Sequence, residues 1–362
     1  MRETPAPTIA ELTIPTSVGV PESAAFEAMV AVMNGVQVSL WNNDDFVYSA
    51  EAELASLRAQ EFHEKIVFIA VVDGVIVGRV IADFPLEQDA VTATLLVDVV
   101  PALRGRGIGS ALLAKGEDIV ADGGRTIIAA YTEHPVATLH DGPVVRAEVG
   151  PSGLPADAPD VRFAQHHGYR LGQVERFSCL DLPMPDERKN ALLADAVAHS
   201  RDYRTVSWWR AAPDELVDEF AALKERMTVD IPQSGIALDD EQWTAARVRE
   251  HENELDARGE PLLTTVAQHI PSGHLVAYTE ITVPDDGDKA EQYDTLVAVA
   301  HRGHRLGALV KLENLRRLAA HAPHIRRILT WNADENAPML AVNDAFGFEL
   351  RGLTGTWQKT LA

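Results

Sequence analysis

Cysteine is almost missing from this 362-residue chain: Cys179 stands alone, which excludes a disulfide framework and fits a reducing compartment. No stretch approaches the roughly 18 to 20 unbroken apolar residues of a membrane-spanning helix. The opening MRETPAPTIAELTIP has neither the basic start nor the apolar run of a secretion signal, so a cytoplasmic protein with no membrane partner is expected. Positive charge is scarce as well: 32 Lys and Arg against 54 Asp and Glu give a formal net charge of −22. Nucleic-acid binding draws on basic surface that displaces counterions, so this balance argues against DNA or RNA, whereas an acidic surface attracts cationic amines. Metal-ligand patterns are also missing. His166, His167, His301, His304, His321 and His324 belong to no His-Glu-x-x-His and to no Cys/His set at zinc spacing, and no metal is expected.

What the chain does have is length and apolar content for two full cores, with 46% hydrophobic and 24% charged residues. Reading for period gives a similar order twice. In the first half, apolar runs at 65–72 and 75–84 flank Asp73-Gly74 and predict a hairpin. A strand at 94–100 then enters a glycine-rich turn, with helical spacing over 110–120 and a strand at 125–132 after it. The second half predicts strands at 262–268 and 274–283 around Pro271-Ser272-Gly273, then a strand at 294–299, a second turn, a helix over 308–320 and a strand at 327–331. A helix over 339–345 and a closing strand near 356–359 finish the chain. Pro183 and Pro185 break the pattern between the halves, placing domains at 1–185 and 186–362. The second opens with a strand at 203–208 and a helix over 214–226. Residues 134–160 show no period and are long for a connection, which reads as a lid or a tolerated insertion.

The strongest local signal is the turn after the third strand: Val99, Val100, Pro101, Ala102, Leu103, Arg104, Gly105, Arg106, Gly107, Ile108, Gly109, Ser110. Glycines allow a tight turn, and the amides at a helix start can surround a pyrophosphate, with Arg104 and Arg106 adding charge-assisted hydrogen bonds. A dinucleotide fingerprint would need GxGxxG after the first strand of a βαβ unit, and a P-loop would need Lys before Ser110; neither is present. A glycine-rich turn that holds no ligand is the other reading. Setting Arg104 on Arg302 superposes Val99 on Val297, Gly105 on Gly303 and Gly109 on Gly307, so the element occurs twice.

Arg104-x-x-Gly107-x-Gly109 resembles the Gln/Arg-x-x-Gly-x-Gly/Ala signature of the GNAT superfamily, the Gcn-related N-acetyltransferases. His301, Arg302, Gly303, His304, Arg305, Leu306, Gly307 and Ala308 look like the same element, departing at Arg305 where the family has its first glycine. Downstream, Trp331-Asn332-Ala333, Asn336-Ala337-Pro338 and Phe346-Gly347-Phe348 resemble the family's next motif, with Asn336 as helix N-cap. In the first half only 163–169 matches it. The layout is similar to tandem GNAT proteins of the mycothiol synthase kind. The resemblance implies an α/β (α+β) fold class: two GNAT-like domains, each a mixed, mostly antiparallel sheet flanked by helices with a splayed central strand pair.

It also implies acetyl-CoA as acyl donor, and a small molecule bearing a primary amine as acceptor. Both loops, with Asn332 and Asn336, would bind the coenzyme. Since the amine attacks directly, no nucleophilic residue is needed, and backbone N–H groups at Val297, Ala298 and Val299, or at Val99 and Val100, would polarise the thioester carbonyl. Glu280, a carboxylate in an apolar strand whose proton affinity burial would raise, is the expected base, with Tyr278 and Asp294 in reserve and Asp98 the nearest choice in the first half. The family's acid tyrosine falls on Asn343 and Ala164, neither of which can replace a phenol. Chemistry in the second half, with the first binding acyl-CoA structurally or regulating, is the expected reading; chemistry in the first half and coenzyme binding without turnover are the alternatives.

Overall fold

A computed structural model describes residues 6–230, 236, 237, 239 and 241–361, the side chains of 228–230 excepted. The first half runs β1 (Thr8–Glu11), α1 (Ala24–Trp41), α2 (Ala50–Arg58), β2 (His63–Val72), β3 (Val75–Pro85), β4 (Thr92–Val99), α3 (Ile108–Asp122) and β5 (Ile127–Pro135). It continues through β6 (Val144–Arg146), β7 (Gly153–Pro155), α4 (Pro159–His166) and β8 (Arg170–Asp181). The second half runs α5 (Asp186–His199), β9 (Tyr203–Trp209), α6 (Val217–Asp230), α7 (Ala245–Ala257), β10 (Leu262–His269), β11 (Leu275–Thr282) and β12 (Lys289–Val297). After these come α8 (Leu306–His321), β13 (Arg327–Ala333), α9 (Ala337–Phe346) and β14 (Glu349–Thr360).

The predicted hairpins, loops and closing helix are all present, as is the mixed α/β layout. The unpatterned stretch at 134–160 holds the end of β5, the small β6–β7 hairpin and the start of α4. Helix α1 carries no readable stripe because it is apolar nearly all round. With the preceding turn it is long and apolar enough, by composition alone, to cross a membrane. Here it packs on the sheet, where Phe26, Met29, Val30 and Met33 meet Val67, Ile69 and Ile81. Helix α3 covers the opposite face, with Leu112 and Leu113 against Phe68, Val80 and Leu95. The first half thus has a helix layer on each side of its sheet.

Twelve strands form one sheet in the order β1-β2-β3-β4-β5-β14-β8-β13-β12-β11-β10-β9. The expected boundary at 185/186 lies between β8 and α5, yet the halves interlock. The last strand of the chain, β14, lies between β5 and β8, and β8, the last strand of the first half, pairs with β13. Trp357 of β14 is fully buried in the first half's core. Neither half holds a complete sheet by itself. Within each half one parallel pair splays: β4 and β5 pair only from Thr92 to Thr94, and β12 and β13 only from Lys289 to Glu291. Beyond those residues the strands part and leave two related openings.

Candidate active site

Each opening is faced by a turn of the same conformation. In the first half a 3-10 turn at Pro101–Leu103 leads to extended Arg104, left-handed Gly105 (φ 72°) and left-handed Gly107 (φ 82°), and α3 starts at Ile108. In the second half Val299–His301, Arg302, Gly303 (φ 85°) and Arg305 (φ 56°) repeat the path before α8 starts at Leu306. Arg305 adopts the left-handed backbone that Gly107 takes without steric cost. Arg104 Nε donates to the carbonyl of Val99 at 3.1 Å, and Arg302 Nε to that of Val297 at 3.2 Å. The alignment made on sequence therefore holds in the backbone path of the turn and in the arginine contact.

Backbone donors at the strand ends divide by parity. The amides of Val100 and Ala298 are committed to β3 and β11, at 2.9 Å from the carbonyls of Val77 and Val276. Alternate amides of a strand point to opposite sides, so it is Val99 and Val297 whose N–H groups face the openings. Val100 and Ala298 thus leave the expected donor set.

The openings differ in what fills them. In the first half a cavity of about 1000 Å³ is lined by the phosphate-type loop (Arg104, Gly105, Gly107, Gly109, Ser110) and by Val99. Arg162, Phe163 and His166 of α4 line it on the same face of the sheet, while Val36, Gln37 and Leu40 of α1 line it on the other. The cavity therefore passes through the sheet at the splay. A side chain at Gly109 would begin 3.4 Å from the Phe163 ring, so glycine there keeps loop and helix close. Ser110 Oγ lies 3.0 Å from His167 Nε2, and Ala164 is buried in the core with no donor to offer.

Charge is segregated across the sheet. Arg104, Arg162 and Asp160 line the loop side, while Asp98 with its partner Arg79, Glu133 and Glu175 line the α1 side, so unpaired carboxylates collect there. Asp98 is neutralised by Arg79, whose Nε is 2.8 Å from Asp98 Oδ2 and whose other arm reaches Glu53 at 3.0 Å. Glu133 accepts from Gln37 Nε2 at 3.1 Å. Burial raises the proton affinity of Glu133 and of Glu175, with Glu335 adding a further upward push on the latter. Sequence reasoning passed over Glu133 because its importance comes from the splay. It stands one residue past Thr132, where a polar strand end carries no local sign of a cavity.

In the second half the expected catalytic group is locked. Glu280 and Tyr278 are buried, and Lys224 of α6 lies between Glu280 Oε2 at 2.5 Å and Asp294 Oδ2 at 3.2 Å, with the Trp243 ring 4.3 Å from its Nζ. Tyr278 donates to Asp294 at 3.2 Å. Burial would discharge Lys224, but the two carboxylates outweigh it and hold it protonated. Glu280 is thus an ion-pair partner rather than a free base. A cavity of about 210 Å³ lies beside Lys224, Trp243 and Asp294. The loop is also covered: α5 packs on α8 and α9, Asp195 pairs with Arg305 at 2.8 Å, and His304 Nδ1 approaches the His199 carbonyl at 3.4 Å. Asn336 caps α9 through the Met339 amide, and Asn332 accepts from Asn343 at 2.5 Å, so both asparagines serve the protein's own structure.

The acetyltransferase (GNAT) family model matches residues 36–139, the segment from the middle of α1 through both strands of the open splay. The first half of the chain contains a GNAT domain. A tandem GNAT protein from the clavulanic acid biosynthesis pathway, solved without AcCoA, superposes with TM-score 0.74 at 24% identity, over 98% of each chain. A GCN5-related N-acetyltransferase from Sphaerobacter thermophilus gives 0.61 at 15% identity, over 96% of this chain and 97% of that one. A glucosamine N-acetyltransferase region of a fungal multi-domain GH3 beta-N-acetylglucosaminidase gives 0.62 at 14% identity, over 98% of this chain and 38% of that one. No curated protein sequence matches the chain. The whole chain has the tandem GNAT fold.

Proposed function

We propose that the protein is an acyl-CoA-dependent N-acetyltransferase whose first-half cleft moves an acetyl group from acetyl-CoA to the primary amine of a small molecule, while the second half is a structural partner. One observation carries this reading: the first cleft is open from its phosphate-type loop, through the splay, to Glu133 and Glu175, which have no ion-pair partner among the described residues, whereas in the second half Lys224 is locked between Glu280 and Asp294 and α5 covers the loop. On the loop side the amides at the start of α3 and the Arg104 guanidinium suit a diphosphate. Val99 N–H suits the oxygen of the thioester carbonyl as negative charge develops there.

The amine must be neutral to attack. Glu133, on the far side of the splay and with its proton affinity raised, takes that proton. As the N–C bond forms and the C–S bond breaks, the thiolate leaves; a thiol of ordinary pKa about 8.5 can depart and collect a proton from water. A tyrosine at Ala164 is then unnecessary.

Acetyl-CoA titration and thiol release across a panel of primary amines test the proposal on the whole protein. Arg104→Ala is expected to weaken acetyl-CoA binding about tenfold or more, and Arg302→Ala to leave it unchanged. Glu133→Gln is expected to lower kcat by about 10²-fold or more and to abolish the rise of kcat with pH, a limb lying above the ordinary carboxylate range. Equal losses from both arginine variants, or an unaltered pH limb in Glu133→Gln, would refute it. Saturable binding with no thiol release from any amine would leave a coenzyme-binding protein in its place.

A further inference from the structure

Strands β5, β14 and β8 lie side by side, and their registers set Thr354 opposite Glu133 on one flank and opposite Glu175 on the other. Directly opposed residues share a face of the sheet, so Glu133, Thr354 and Glu175 form one row across three strands, all lining the large cavity. Two strand spacings put the backbones of the two glutamates about 10 Å apart. Among the described residues neither glutamate has an ion-pair partner: Arg79 is taken by Asp98 and Glu53, and Arg104 and Arg162 line the opposite face. Thr354 is 7% exposed, lines the cavity, and its Oγ1 has no hydrogen-bond partner. Buried hydroxyls are ordinarily satisfied, so an oxygen left open between two unpaired carboxylates marks a place for a ligand with hydrogens to donate. Tyr131 and Trp331 line the same cavity and offer aromatic surface for methylenes or a cation.

We infer that the acceptor is a short α,ω-diamine: one nitrogen is acetylated beside Glu133 and Val99, and the second, an ammonium, is held by Glu175 and Thr354. This rests on the reaction proposed above. The reacting nitrogen gives its proton to Glu133, gains the acetyl carbon and expels the thiolate; the other nitrogen keeps its charge, so the product is a monoacetylated cation. Strand exchange has a functional consequence here. Glu175 sits on β8, which pairs with β13, and Thr354 and Trp331 come from the second half, so the amine-binding end of the first cleft is completed by the rest of the chain.

The test compares 1,4-diaminobutane and 1,5-diaminopentane with 1-aminobutane, by thiol release and by calorimetric titration of the full protein at saturating coenzyme. The wild type should favour a diamine by about tenfold or more in KM or Kd. Glu175→Gln and Thr354→Val, each checked for an intact thermal transition, should collapse that ratio with a larger effect on KM than on kcat. Equal use of monoamine and diamine by the wild type, or a ratio untouched by both variants, would overturn the inference while leaving acetyl transfer standing. Diamine binding that Glu175→Gln abolishes, with no thiol release, would keep the diamine site and overturn both the reaction and the diamine's role as acceptor. Neither binding nor turnover of a diamine would overturn the inference, with acetyl-CoA titration deciding the coenzyme reading separately.

Discussion

Lys311 on α8 occupies the position that Leu113 fills on α3, by the same superposition that sets Arg104 on Arg302. Both are buried, but among the described residues Lys311 Nζ has a single neutral acceptor, Gln292 Oε1 at 3.2 Å, and burial brings its pKa down to about 7. From there up to the ordinary lysine value of about 10.4 the unfolded chain binds the extra proton, so this group's contribution to stability rises with pH across that window. Lys311→Leu should therefore stabilise the protein by about 1–3 kcal/mol at pH 7 and flatten the rise of stability towards pH 10. Urea denaturation at pH 7 and above pH 9 checks both, and a less stable variant would show that the Gln292 contact matters more than the buried charge. Glu175 follows the same logic with opposite sign. A carboxylate whose proton affinity is raised in the fold loses stability as pH climbs from the ordinary carboxylate range through its raised value, so the Gln variant used to test the diamine site should also melt slightly higher at neutral pH.

Helix α6 closes the second cleft through one side chain, and Lys224→Ala would leave Glu280 buried beside an unneutralised neighbour. Breaking a buried ion pair from one side costs about 3–5 kcal/mol. The paired change Lys224→Met with Glu280→Gln removes both charges and should recover most of that loss, since replacing a buried pair by groups of similar volume is often neutral. Thermal denaturation across the double-mutant cycle measures the coupling, and additive losses would show that the contact is incidental. Turnover per folded molecule should be unchanged throughout, because the chemistry is assigned to the other cleft. Little of this lock was legible beforehand. The loops were readable because glycine conformations and helix starts are set by neighbouring residues, whereas Lys224 meets Glu280 across 56 residues of chain. A glutamate in an apolar strand reads the same whether its partner is a substrate or a lysine.

At the scale of the molecule, the exchange of β8 and β14 makes the halves interdependent. A fragment of residues 1–185 keeps β5 and β8 but lacks the strand that lies between them, along with Trp357 and Leu353 from its core. It should fail to unfold cooperatively and should not bind acetyl-CoA. Fusing residues 349–361 behind residue 185 through a flexible linker should restore a cooperative transition, to be read by near-UV circular dichroism and coenzyme titration. A bare 1–185 fragment that melts cooperatively and binds at full affinity would show that the exchange is dispensable.

By itself the sequence determined the doubled strand-turn-helix plan, the two coenzyme-type turns with Gly105 set on Gly303, and the N-cap at Asn336, whereas the left-handed backbone of Arg305 was seen only in the fold. These rest on backbone conformation, capping and local period, which act over a few residues. Tertiary structure alone decided which cleft is open, that β14 completes the other half's sheet, and that Glu133, Thr354 and Glu175 stand in one row. Strand partners are chosen by burial between segments far apart in the chain, so a strand's own residues show that it will pair without showing with which neighbour.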